Sequence, residues 1–162
     1  MWRSKVLVAL TLSIAVSLVH WGHAGQKPST KEGTLTPQDY NEIQQLYARY
    51  AQTIDAGDAD GWARTFTPDG VFGATKGTEK LVEFARGFYQ RFKGGARHWF
   101  NQILITPTPE GAKGSCYLML FDVGTKAITT SGIYQDTLVK TAGGWRFKER
   151  VTVIDKASPP AN

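Results

Sequence analysis

The period of the apolar residues changes once along this chain, at Gly94-Gly95, and that change restricts the fold to helices first and sheet afterwards. Before it, Thr36-Pro37-Gln38-Asp39 starts a helix with a hydroxyl N-cap, a proline in the first turn and an acid at the third position. Tyr40, Ile43, Tyr47, Tyr50 and Ile54 follow at spacings of three and four, and Gly57 ends the helix. Asp58 caps a short second helix carrying Trp62, Ala63 and Phe66. Thr67-Pro68-Asp69-Gly70 reads as a turn, with a short strand at Val71-Phe72 behind it. Thr78 caps a third helix with Leu81, Phe84, Ala85, Phe88 and Phe92 on one stripe. After Gly95 the alternation predicts strands at 97–106, 115–123, 131–141 and 145–154, with turns at 107–111 and 142–144. The pattern is α+β: helices packed on one face of an antiparallel sheet.

The first twenty-four residues are of another kind. Arg3 and Lys5 precede an uncharged run of about 14 residues, Val6 to Val19, and Gly22-His23-Ala24 offers small residues at a cleavage site. The run is shorter than the ~20 residues a spanning helix needs. The expectation is a signal peptide over 1–24 and an exported, periplasmic or secreted protein with no membrane insertion once it is cleaved. A flexible lead-in over 25–35, one domain over 36–155 and a tail over 156–162 complete the division. Cleavage would remove two basic residues and no acidic one, lowering the formal charge from +5 to +3. A charge that small does not call for nucleic acid or anionic lipid. His98 would then be the only histidine, and Cys116 is the only cysteine. An internal disulfide and a His/Cys zinc site are both excluded by that count.

Few residues are left to carry chemistry. Asp55 sits where the first helix ends, facing the negative end of the helix dipole, as a solvated acid or a functional one. His98 opens a strand and shares a side with Phe100 and Leu104 if these face the core. Arg146, Lys148 and Arg150 share one face of the last strand by simple alternation, opposite Trp145, Phe147, Val151 and Val153. The aromatic residues serve a core or a pocket. Tyr47, Tyr50, Tyr117 and Tyr134 carry hydroxyls that need partners when buried, which a polar-tipped cavity would supply.

Taken in order, Gln44-Gln45-Leu46-Tyr47-Ala48-Arg49-Tyr50-Ala51, Ile54-Asp55-Ala56-Gly57-Asp58, Trp62-Ala63-Arg64-Thr65-Phe66-Thr67-Pro68-Asp69-Gly70, Arg97-His98-Trp99-Phe100-Asn101, Gly132-Ile133-Tyr134 and Gly144-Trp145-Arg146-Phe147 resemble the SnoaL-like branch of the nuclear transport factor 2-like superfamily. The resemblance implies a cone-shaped α+β barrel, three helices on a strongly curved sheet around one deep pocket. Scytalone dehydratase and hexachlorocyclohexane dehydrochlorinase, in that group, pair an aspartate at the end of the first helix with a histidine on the sheet. Asp55 and His98 match those positions, which implies a dyad whose imidazole removes a proton from carbon. Arg150 matches the dehydrochlorinase's catalytic arginine, a match that needs a β-bulge to bring Arg150 onto the face of Trp145.

This chain departs from the pattern at three places: Tyr50 replaces the dehydrochlorinase's lysine, no second histidine lies near Ser115-Cys116-Tyr117, and Ala74 stands where a pocket tyrosine would be. What the resemblance implies is therefore a cofactor- and metal-independent lyase or isomerase acting on a small, largely apolar, cyclic or aromatic molecule. Its base would be His98, oriented by Asp55. The pocket would be lined by Tyr47, Tyr50, Trp62, Phe100, Cys116, Tyr117 and Tyr134, with Tyr50 and Tyr134 as donors to a developing oxyanion. The alternative is a non-catalytic binding domain holding a lipophilic molecule in the same cone. Dimers or trimers are usual in similar proteins, so the resemblance also implies a homodimer or homotrimer.

Overall fold

The computed structural model describes residues 33–156, so the expected signal peptide over 1–24, most of the expected lead-in and most of the expected tail lie outside the described residues. The elements run α1 (Pro37–Ala56), α2 (Ala59–Ala63), β1 (Phe66–Phe72), β2 (Thr75–Lys76), α3 (Thr78–Phe92), β3 (Ala96–Thr108), β4 (Gly111–Asp122), β5 (Ala127–Thr141) and β6 (Gly144–Ile154). The six strands form one sheet in the order β2-β1-β6-β5-β4-β3. Only the β1–β6 pairing is parallel. The α+β class, with helices first and a curved sheet wrapped against them, is as the sequence predicts.

Helix α1 positions the rest. Thr36 and Asp39 form a reciprocal capping box, Pro37 fills the first turn, and Gly57 closes the helix in the left-handed region at φ 78°. Ile43, Leu46, Tyr47, Tyr50 and Ile54 form its buried stripe, set against Phe66, Leu118, Tyr134 and Phe147.

Asp39 also ties α1 to the sheet. Its Oδ1 accepts hydrogen bonds from Trp145 Nε1 at 3.0 Å and Lys140 Nζ at 2.6 Å. Burial alone would raise its pKa, but the bonds from Lys140, Thr36 and Trp145 outweigh burial and hold the carboxyl well below its ordinary 3.8. Asp39→Asn is expected to destabilise the protein by about 1–2 kcal/mol at neutral pH, from the weakened cap and cross-link. Because the folded pKa is depressed, this contribution is fully present above pH 3.8 and is lost as pH falls below it. Urea unfolding at pH 7 and at pH 3 should show the difference between wild type and variant shrink at the lower pH.

Three local readings of the sequence are corrected. Phe66 belongs to β1 rather than the second helix, and 67–70 lies within that strand rather than in a turn. Tertiary pairing overrides the turn composition: Phe66 pairs with Phe147 and Val71 with Glu149, so the intervening residues bulge out of the ladder. Gly70 permits the fold-over, since a Cβ there would lie 2.8 Å from the Phe66 Cβ.

In β3, the register slips between Asn101 and Leu104, with Gln102 in the left-handed region at φ 48°. His98 and Phe100 therefore turn inward, while Leu104 points out at 65% exposure and Ile103 and Ile105 take its place against the core. In β6, Thr137 faces Glu149 and Leu138 faces Phe147, so Lys148 is an extra residue. This bulge puts Arg150 on the same buried side as Trp145 and Phe147 and sends Val151 and Val153 outward. Lys148 itself pairs with Asp69 in the β1 bulge.

Candidate active site

The last turn of α1 and the start of β3 meet at Asp55 and His98. Asp55 Oδ1 lies 2.6 Å from His98 Nδ1, and Asp55 Oδ2 accepts the backbone N–H of His98 at 2.8 Å. One carboxylate thus holds both the ring and the strand that carries it. The side chains are 4% exposed for His98 and 10% for Asp55, so little water competes for the bond. With Nδ1 donating to the carboxylate, Nε2 holds the ring's lone pair, and no hydrogen bond among the described residues uses it. Phe88 packs against the imidazole with centroids 5.3 Å apart, and Phe100 and Tyr50 present edges at 5.9 and 6.1 Å. These rings fix its plane.

His98 lines two spaces. One is an open groove of about 490 Å³ between α1 and β3, which Asp55 and Phe100 also line. The other is a cavity of about 300 Å³ bounded by α1, α3 and the inner face of the sheet. Asp55 lines the groove but not the cavity, whereas His98 lines both. Ile54, Phe72, Phe84, Phe88, Phe92, Leu118, Leu120 and Ile154 make the cavity wall largely apolar. Its polar groups are His98, Tyr50, Tyr134, Arg91, Thr130 and Thr152. A wall of this kind holds an apolar body and orients it by a few polar contacts. Burial raises the pKa of both tyrosines, so each stays a neutral donor. Among the described residues the buried Tyr50 hydroxyl has no partner in hydrogen-bonding geometry, although Tyr134 and Arg150 interact with it, and a ligand oxygen would satisfy it.

Behind the two tyrosines lies a second cluster. Arg150 is wholly buried and donates Nε and Nη2 to the two oxygens of Asp136, each at 2.7 Å, while Tyr47 donates its hydroxyl to Asp136. Burial would lower the Arg150 pKa, but Asp136 outweighs it and holds the guanidinium charged. Five rings surround the guanidinium carbon, the nearest centroids being Phe147 at 4.0 Å, Tyr134 at 4.2 Å and Tyr50 at 4.3 Å. The bulge that the match of Arg150 to a catalytic arginine needs is present, but the guanidinium is 0% exposed and does not line the cavity, so Arg150 is not placed to touch a molecule there.

The structure brings together Asp55, His98, Tyr50, Phe100 and Tyr134; Tyr47 lines the groove beside Asp55 and His98 while its hydroxyl joins Asp136, and Cys116 and Arg150 lie behind them, lining neither space. Burial pushes the Cys116 thiol up to about 12, which leaves it un-ionised near neutral pH. Trp62 is core, stacked on Phe84 with centroids 5.6 Å apart. The expected pocket role of Tyr117 is corrected: Cys116 and Leu118 take the inward positions of β4, and Tyr117 points out of the sheet at 55% exposure. Sequence reasoning passed over Asp136, Thr130 and Thr152, and read Phe88 as a helix-stripe aromatic without placing it beside His98. Asp136 was open to detection, because it shares the inward face of β5 with Tyr134 and Leu138, and a carboxylate on an apolar face needs a buried counter-charge. Among the described residues no three His, Cys, Asp or Glu side chains gather to hold a metal ion.

Comparison with known proteins agrees with this architecture. The family model described as "SnoaL-like domain" matches residues 36–151. Rv3472, a protein of unknown function from Mycobacterium tuberculosis, is 30% identical, with a TM-score of 0.67 over 74% of this chain and 78% of that one. An NTF2-like protein with a cystatin-like fold from Novosphingobium aromaticivorans is 25% identical, with a TM-score of 0.69 over 75% and 84%. Aln2 from a Streptomyces species is 29% identical, with a TM-score of 0.67 over 74% and 93%. No curated protein matches significantly. With the family model covering nearly all of the folded residues and these structures sharing the fold, the chain belongs to the SnoaL-like family of the nuclear transport factor 2-like superfamily.

Proposed function

We propose that the protein is a cofactor-independent lyase or isomerase in which His98 removes a proton from a carbon of a small, largely apolar, cyclic or aromatic substrate. The observation that carries the reading is the 2.6 Å bond from His98 Nδ1 to the Asp55 carboxylate, which leaves Nε2 free on a ring that lines a largely apolar cavity. In that arrangement Asp55 fixes the tautomer and supports the positive charge that the ring takes up with the proton. The C–H electron pair moves into the substrate, either to expel a leaving group from the next carbon or to delocalise onto a conjugated oxygen. In the second case the proton returns at another carbon and the substrate is isomerised. Tyr50 and Tyr134 beside it are the donors for that oxygen. The Arg150 charge stands over both ring faces and stays out of contact with substrate.

A small aryl ketone such as 2-tetralone is the appropriate probe, since it is apolar, cyclic and carries acidic α-protons. It is expected to raise the melting temperature of the wild-type protein by mass action. Leu118→Trp, which fills the cavity from β4, should remove that rise. An equal rise in the filled variant would place the ligand elsewhere and overturn the assignment of the cavity.

A further inference from the structure

We propose that a second site, the cleft between α1, α2 and the β5–β6 turn, binds the phosphate group of a phosphorylated small molecule through Arg49, Arg64 and Arg146. Arg49 lies on α1, Arg64 in the turn after α2 and Arg146 on β6, and the three line one cleft of about 510 Å³. That size suits a small organic molecule rather than a bare ion. Neither the dyad nor the cavity tyrosines belong to this cleft.

The arginines there lack acidic partners. Lys140, Lys148, Arg150 and Arg86 are paired with Asp39, Asp69, Asp136 and Asp60, whereas Arg49, Arg64 and Arg146 make no ion pair among the described residues. The carboxylate on the cleft wall, Asp58, is engaged in capping α2, its Oδ1 accepting the Gly61 N–H at 2.8 Å.

Arg146 is held in place. Its Nη1 donates to the Trp145 carbonyl at 2.8 Å, and Gly143 leaves room beside Nη2, where a Cβ would stand 3.2 Å away. Partial burial, and next the charge of Arg49, hold the Arg146 pKa below its ordinary value, so two guanidinium groups repel across the cleft. A tetrahedral dianion relieves that repulsion, and planar guanidinium forks match its oxygens two at a time.

The test is calorimetric titration of the protein with phenyl phosphate and with inorganic phosphate at low ionic strength. Phenyl phosphate is expected to bind one per chain and more tightly than inorganic phosphate. Arg49→Gln and Arg146→Gln should each weaken it roughly tenfold or more. Lys80→Gln, on the exposed side of α3, and His98→Ala should leave it unchanged, the latter separating this site from the proposed dyad. Without ligand, Arg49→Gln should melt at or above the wild-type temperature, because it removes a repulsion and breaks no ion pair. Absence of binding at millimolar phenyl phosphate overturns the proposal. So does an equal loss in Lys80→Gln, which would assign the binding to overall positive charge.

Discussion

Asp136→Leu is expected to destabilise the fold by about 3–5 kcal/mol, because it strands the Arg150 guanidinium in a fully buried site with no counter-charge. Natural domains hold only about 5–15 kcal/mol in reserve, so this one substitution removes roughly a fifth or more of the margin. It also leaves the Tyr47 hydroxyl without its acceptor. Removing the whole cluster should act differently. Tyr47→Phe/Asp136→Leu/Arg150→Met deletes both charges and the orphaned hydroxyl together, and is expected to recover most of the loss. Urea unfolding of the single and triple variants, compared at constant m-value, separates the two outcomes. If the single variant unfolds at the wild-type midpoint, the pair does not hold the core together as described.

His98→Ala is expected to lower turnover by roughly 10²–10⁴-fold, the usual contribution of a positioned general base. Far-UV circular dichroism and the melting temperature should stay near wild type. Asp55→Asn should be comparably severe, since it removes the charge facing Nδ1 while preserving the shape of the side chain. The two losses should not multiply: the double variant is expected to fall about as far as either single one, because the residues act as a unit. Unchanged turnover in His98→Ala would sink the assignment of the base.

The extent to which this arrangement was legible in the sequence differs from element to element. The change of period at Gly94-Gly95, the Thr36–Asp39 cap and the Gly57 stop identified the helices and the four long strands, because each is a local signal. The bulges were not local in that sense. Alternation places Arg150 opposite Trp145, and only the extra residue at Lys148 reverses this; Gln102 does the same to Leu104. Both displacements are set by pairing with neighbouring strands. Likewise β1 forms because β6 is there to receive it, against the turn composition of Pro68-Asp69-Gly70. As for the site, nothing in the spacing of Asp55 and His98 requires them to meet across 43 positions. Their pairing was expected from the resemblance alone, whereas Asp136 could have been found from its neighbours on β5.

The central claim, that His98 takes a proton from carbon, is tested most directly by proton NMR of a cavity-bound aryl ketone in deuterated buffer. Abstraction precedes both elimination and isomerisation, so exchange of the α-protons for deuterium reports the step whatever follows it. The account predicts rapid exchange with wild type, and with His98→Ala a rate no faster than in buffer alone. A ligand that raises the melting temperature of both proteins, yet exchanges no faster with wild type than with His98→Ala, would contradict it and mark the cavity as a binding site without a base.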